Sequence, residues 1–243
     1  MKIFIIFLSL PEVYIQPPLW YTRRAMENPR ENPFPLPTIR RYPIFLRAIG
    51  EMMDAGEAFI SSSVLAERLG LDPVLTRKDL AMAGVPGRPR RGYPAGELRA
   101  AINRALGWDS ATDAVLVGAG SLGSALLGYA GFKEQNLSIV AAFDANPRLA
   151  GSTVHGVKVR PLAEMARLVR RLKVHLAILT VPTPAAQACA ATLVEAGVRG
   201  ILNFSSAQLT VPEGVIVQNV DLAQPLAVLS HAIARRERSD DGE

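Results

Sequence analysis

The chain has 243 residues, 49% of them apolar, enough for one large or two small packed domains. A single cysteine, Cys189, excludes an internal disulfide framework and a cysteine-built metal cluster, and suits a reducing, cytoplasmic setting. The formal charge of +5 lies entirely in residues 1–107, while residues 108–243 balance; a basic module before a neutral one suits a polyanionic partner.

Met1 to Leu10 is an apolar run that Pro11 stops after about eight residues, far too few to span a membrane, and no A-x-A cleavage site follows. Residues 1–37 are expected to be an N-terminal extension, disordered or arising from a misplaced start, with Met26 as an alternative first residue. From Thr38 to Ala55 the residues Tyr42, Phe45, Leu46, Ile49, Met52 and Met53 recur at spacings of three and four, which predicts a helix with one apolar face; Arg40, Arg41 and Arg47 are its basic members. The serines at 61–63 offer an N-cap for a short helix carrying Val64, Leu65 and Leu69, which Gly70 ends. Asp72 as N-cap and Pro73 at the first helical position open a second helix that runs to Met82. Two short helices joined by a glycine-containing turn, the second carrying Arg77 and Lys78, read as a helix-turn-helix. Glycines and prolines forbid a helix over Gly84 to Pro94, where Arg88, Arg90 and Arg91 crowd one tip. After a recognition helix this reads as the wing of a winged helix, its arginines within reach of phosphates or an A·T-rich minor groove. A solvated basic loop is the bland alternative. Glu97 to Leu106 is a further helix, and Gly107-Trp108-Asp109 marks the boundary.

The apolar run Ala114 to Val117 then enters Gly118-Ala119-Gly120-Ser121-Leu122-Gly123, a G-x-G-x-x-G motif between a strand and a helix. Gly118 would permit the tight turn, Gly120 the approach of a pyrophosphate, and Gly123 close packing of helix on sheet. The diphosphate would sit at the helix N-terminus, where free N–H groups and the dipole favour an anion. A second strand, Leu137 to Asp144, ends in an acid roughly 20 residues beyond the motif, placed to accept ribose hydroxyls and repel a 2′-phosphate, so NAD is favoured over NADP. The alternative is a glycine turn in another α/β sheet with Asp144 as a helix cap. Gly156 to Val159 reads as a short edge strand, and Leu162 to Lys173 as a helix exposing Arg167, Arg170, Arg171 and Lys173. Leu176 to Pro182 is a buried strand; ligands bind beyond the carboxyl ends of such strands, which makes Thr180, Val181 and Pro182 cofactor contacts. A helix over Ala185 to Ala196 holds Cys189 as a packing residue, since nothing basic adjoins it to lower its pKa. Strands follow at Gly200 to Phe204 and Gly214 to Asn219, then an amphipathic helix from Leu222 to Arg236. The alternation is that of a doubly wound parallel sheet. His155, His175 and His231 fall in separate elements without metal-ligand spacing, and no metal is expected.

These features in this order resemble the Rex family of bacterial redox-sensing transcriptional repressors over about residues 38–232. The resemblance rests on Ser61-Ser62, Arg77-Lys78-Asp79-Leu80, Arg91-Gly92-Tyr93, the glycine motif continuing to Tyr129-Ala130-Gly131-Phe132, Ile178 to Pro182, Gly200 to Phe204, and Asn219-Val220-Asp221-Leu222. It implies a winged-helix domain at 38–107, a Rossmann NAD(H)-binding domain at 108–222 and a C-terminal helix and tail at 223–243, the helix exchanged between the subunits of a homodimer. It also implies binding to a palindromic operator that is released when NADH rises, with no catalysis and no membrane attachment. Ser61 and Ser62 join the arginines and Lys78 as DNA contacts, and Arg47, Tyr129 and Asp221 form a switch near the nicotinamide.

The chain departs from the family at Ser121, where Asn or Arg is common, and at Ala81-Met82-Ala83, where Ser-Tyr-Phe is common. Pro89 stands where the wing arginine usually falls. Two other readings compete: an NAD-dependent oxidoreductase or CoA-ligase-like protein with a basic accessory module, and a DNA-binding protein that has lost its ligand. The first needs a proton donor beside the hydride site, for which Tyr129 is the nearest candidate.

Overall fold

A computed structural model describes residues 34–221 and 223–240. The expectation for 1–37 therefore falls mostly outside the described residues, although the first described helix already begins at Leu36. The chain forms two compact units, one ending at Ala111 and the other starting at Thr112.

The first unit runs α1 (Leu36–Asp54), β1 (Phe59–Ile60), α2 (Ser62–Leu69), α3 (Pro73–Met82), β2 (Tyr93–Pro94) and α4 (Ala95–Leu106). The apolar stripe of α1 buries Tyr42, Phe45, Ile49 and Met52 against Leu65, Leu80, Leu98 and Ile102. Gly70 ends α2 in the left-handed conformation, and Asp72 caps α3 by accepting the Leu75 N–H at 2.7 Å. Ser61 does stand at the N-cap position of α2, but its hydroxyl bonds to that of Ser63 at 2.9 Å and caps no backbone amide. Strand β1 pairs antiparallel with β2, a pairing two residues long and too short to show in the alternation of the sequence. Between α3 and β2 the chain turns back as a tight hairpin. The Arg88 N–H donates to the Gly92 carbonyl at 2.7 Å, and the Gly92 N–H to the Arg88 carbonyl at 3.0 Å. Gly92 is obligatory: a Cβ there would collide with the Ile60 carbonyl of β1. Helices α2 and α3 followed by this hairpin make the expected winged helix.

The second unit runs β3 (Thr112–Val117), α5 (Ser121–Leu127), α6 (Gly131–Glu134), β4 (Leu137–Asp144), β5 (Thr153–Val154), β6 (Val157–Pro161), a 3₁₀ turn at Leu162–Glu164, α7 (Met165–Leu172), β7 (Leu176–Leu179), α8 (Thr183–Glu195), β8 (Gly200–Asn203), β9 (Ile216–Asn219) and α9 (Ala223–Asp240). Its sheet has the order β5-β6-β4-β3-β7-β8-β9, with all neighbours parallel except β5 and β6. The expected edge strand is therefore not at the edge: β6 pairs with β4 on one side, and the outer place belongs to β5, which pairs through a hairpin too brief to read from pattern. One face of the sheet packs Val115, Val117, Phe143 and Leu179 against α7 and α8. The other packs Leu116, Ala142 and Ile178 against Leu126, Leu127 and Phe132 of α5 and α6. Coverage on both faces is why β3 and β7 are continuous apolar runs. The strand order reverses at β3, so a crevice opens beyond the carboxyl ends of β3 and β7.

Candidate functional site

The crevice is a cleft of about 440 Å³, lined among others by Gly118, Gly120, Leu122, Asp144, Thr180, Val181 and Pro182. All seven were expected as cofactor contacts. The glycines act in three different ways. Gly118 has φ +97°, and a Cβ on it would lie 2.6 Å from the Thr180 carbonyl oxygen. A Cβ on Gly123 would collide with the Gly118 carbonyl, so this residue brings α5 down onto the loop. Around Gly120, by contrast, a Cβ would meet nothing within 4 Å; its missing side chain leaves backbone open to the cleft. A dinucleotide's diphosphate fits that opening, at the first turn of α5, whose leading amides have no intrahelical acceptor.

The loop is fastened from two sides. From β7 the Thr180 hydroxyl donates to the carbonyls of Gly118 at 2.7 Å and Val117 at 3.1 Å, and the Thr180 N–H donates to Val117 at 2.9 Å. From β4 the Asp144 carboxylate accepts the Ala119 N–H on one oxygen and the Asn146 N–H on the other, each at 2.7 Å. Ala119 itself is buried, and Ser121 and Leu122 are exposed at the start of α5. The cleft also takes Phe143, Ala145, Leu162, Ala185, Cys189 and Phe204, which give it an apolar floor. Cys189 is buried as expected of a packing residue, and burial pushes its thiol pKa up. That it also reaches the cleft was not readable, because helical periodicity assigns a face and not a depth.

Tyr129 and Asp221 stand apart from this lining. Tyr129 is 55% exposed and packs edge-on against Phe132, with ring centroids 5.1 Å apart. Asp221 is exposed and accepts the Ala223 N–H at 2.8 Å, at the start of α9. Arg47 belongs to the first unit, exposed on α1. Helix α9 carries Leu226, Leu229 and Ile233 with about half or more of each exposed. Among the described residues no cluster of His, Cys, Asp and Glu could hold a metal ion, and no helix is long and apolar enough to cross a membrane.

In the first unit, Arg77 and Lys78 are exposed on α3, while Ser61 and Ser62 are half-buried at the start of α2. Arg88, Arg90 and Arg91 are exposed on the hairpin. Asp79, which follows the two basic residues, turns inward and is 2% exposed. It accepts Arg41 Nε at 2.6 Å, Arg41 Nη2 at 3.0 Å and the Thr38 hydroxyl at 2.8 Å. Tyr42 donates to the Asp79 carbonyl at 3.1 Å, and burial, helped by the Asp79 charge, pushes its phenol up to about 12. The sequence reading did not see this anchor of α3 on α1. Its signal was an acid set in a helix otherwise suited to phosphate, which belongs on the inward face. The reading also missed Phe59, whose ring lies under the guanidinium carbons of Arg91 at 4.1 Å and Arg88 at 5.2 Å.

Comparison with known proteins covers both units. Family models match residues 34–81, as "Putative DNA-binding protein N-terminus", and residues 109–207, as "CoA binding domain". A "Redox-sensing transcriptional repressor Rex" from Treponema denticola is 43% identical over 193 residues, which are 79% of this chain and 92% of that protein. Another from Lactiplantibacillus plantarum is 37% identical over 203 residues, covering 84% and 90%. Among solved structures, the complex of RSP with β-NAD+ and operator DNA superposes with a TM-score of 0.78 at 32% identity, covering 86% of this chain and 98% of RSP. RSP with β-NADH gives a TM-score of 0.76 at 31% identity, covering 86% and 99%.

Proposed function

Because the chain belongs to the Rex family of redox-sensing transcriptional repressors, we propose that it holds operator DNA with its first unit and releases it when NADH enters the cleft of the second. The observation that carries this reading is the continuous likeness across both units, from the winged helix through the glycine loop, to proteins of that name. The chemistry agrees. Gly118, Gly120 and Gly123 shape a loop for a diphosphate, with Ala119 inside it, and the amides of Ser121 and Leu122 at the start of α5 would face the anion. Asp144 would accept from the adenosine ribose, and its charge would repel a 2′-phosphate. Thr180, Val181 and Pro182 would lie toward the nicotinamide.

NAD+ and NADH differ by one positive charge on the nicotinamide ring. A ligand moves a two-state equilibrium only through its differential affinity for the states. In this proposal Asp221, Tyr129 and Arg47 form the switch that converts that charge difference into a change of operator affinity. Arg77, Lys78, Arg88, Arg90 and Arg91, with Ser61 and Ser62, meet the operator. The chain acts in the cytoplasm as a homodimer on a palindromic site, the second copy covering Leu226, Leu229 and Ile233 of α9. Asp144 and Thr180, the polar side chains of the cleft wall, are engaged in fastening the loop, which suits a binding site rather than turnover.

The test is fluorescence anisotropy of a labelled palindromic operator from upstream of a respiratory or fermentative gene, at fixed salt, with NADH, NAD+ or NADPH added. Release by NADH at concentrations where NAD+ does little is expected. Binding indifferent to all three nucleotides overturns the sensing, and no specific binding at all overturns the repressor. The match of residues 109–207 to a CoA-binding model favours one other reading, a ligase-like nucleotide domain. Displacement of NADH by CoA would favour it, whereas turnover of an aldehyde or hydroxy acid with NAD+ would point to an oxidoreductase instead.

A further inference from the structure

The hairpin carries three arginines, and the structure does not treat them alike. The guanidinium groups of Arg88 and Arg91 both lie over the ring of half-buried Phe59, at 5.2 and 4.1 Å from its centroid, within the range of cation–π attraction. Arg90 stands between them at the turn with φ +61°, a left-handed conformation uncommon for a residue with a side chain. The backbone around it is fixed by the Arg88–Gly92 pairing and by the contact of Gly92 on the Ile60 carbonyl, one residue beyond Phe59. No described carboxylate pairs with any of the three arginines. Two neighbouring cations repel each other, which the ring's negative π face offsets, and long flexible arginines on a loop of glycine and proline would otherwise sample many rotamers.

We propose that Phe59 is a positioning residue of the operator-binding surface: its ring holds Arg88 and Arg91 as the two sides of the hairpin and leaves Arg90 as the arginine offered to the DNA groove. Phe59 acts through the arginines and touches no DNA. Ordering these side chains before DNA arrives lowers the entropy lost on binding. This inference rests on the repressor reading.

The experiment compares full-length wild type with Phe59→Leu, which keeps apolar bulk without a π face, and Phe59→Tyr, which keeps the face. Operator and scrambled-sequence affinities are measured by anisotropy across a salt series. Phe59→Tyr is expected to bind within about twofold of wild type, and Phe59→Leu roughly five- to tenfold more weakly on the operator. Scrambled DNA should change less, so the specificity ratio falls. NADH affinity should stay unchanged in both. A DNA-free readout accompanies this: in proton NMR the δ-methylenes of Arg88 and Arg91 should be shifted upfield of those of Arg90 by the ring current, and lose that shift in Phe59→Leu. Equal losses in Leu and Tyr variants, or full affinity in Phe59→Leu, would overturn the proposal, as would three equivalent arginine signals in the wild type. Failure of the wild type to prefer the operator strikes the repressor reading instead, and this inference falls with it.

Discussion

Asp79→Ala is the sharpest perturbation of the first unit. The carboxylate is almost fully buried, and the side chain of its partner Arg41 is 16% exposed, held by two hydrogen bonds at 2.6 and 3.0 Å. Removing the acid leaves a guanidinium with little water to replace its lost partner, and the Thr38 hydroxyl keeps just the weak Met82 sulfur at 3.9 Å as acceptor. Breaking one partner of a buried pair costs about 3–5 kcal/mol. For a unit of this size each kcal/mol moves the melting temperature by roughly 4–8 °C, so a drop of about 12–40 °C is expected by calorimetry. Operator affinity should fall with it, since α3 loses its tie to α1, while NADH affinity in the second unit should hold. The control replaces all three partners by apolar groups of similar bulk: Thr38→Val, Arg41→Met and Asp79→Leu together. A buried ionic cluster removed whole is often neutral, so this variant should recover most of the lost melting temperature. If Asp79→Ala melts within about 3 °C of wild type, or the triple variant is no better than the single, the anchor is not what holds α3.

Gly120→Ala separates folding from binding. The added methyl meets nothing in the free chain, so thermal stability should stay within about 1 kcal/mol, while NADH affinity, read by its fluorescence, falls at least about tenfold and operator release is lost. Thr76 is fully buried on α3 with its hydroxyl unpartnered. Thr76→Val should therefore stabilise the first unit by about 1 kcal/mol in urea unfolding, without weakening operator binding. Tyr42, held protonated up to about 12, gives a pH dependence of definite sign. The unfolded chain loses that proton first, near pH 10. Stability is therefore full below pH 10 and declines as pH rises from 10 to 12. Denaturant midpoints across that window should flatten in Tyr42→Phe, which also costs about 1 kcal/mol at neutral pH through its lost hydrogen bond.

What was legible in the sequence was local. The strand–glycine–helix run at 114–127 is one contiguous signal, and Gly118 and Gly123 each met the packing constraint their place implied. Asp72 and Pro73 likewise announced the start of α3 through groups three residues apart. What escaped depends on distance along the chain. Arg41 and Asp79 are 38 residues apart, and nothing local tells a basic helix that one of its charges is committed inward. Phe59 precedes the hairpin it supports by about 30 residues, in a two-residue strand with no period to detect. Phe143, Leu162 and Phe204 were legible as apolar, but which apolar residues end at a cleft is set by how far each element reaches past the sheet.

Asp144 has a consequence for any exchange of coenzyme. Under the proposed reading its charge selects against the 2′-phosphate, and the same carboxylate clamps the glycine loop through the Ala119 N–H and the following turn through the Asn146 N–H. A substitution that removes the acceptor oxygens along with the charge, to admit NADPH, would also unfasten the loop that must receive the diphosphate. Under that reading, descendants of this chain could not drift from one coenzyme to the other by a single step at Asp144 to a residue without an acceptor and keep the grip on either. The passage needs a neutral acceptor that still reaches Ala119, such as Asn, together with a new cation for the phosphate. Under the proposed reading, the geometry of one side chain would thus bind the chain's response to NADH and keep it apart from NADPH.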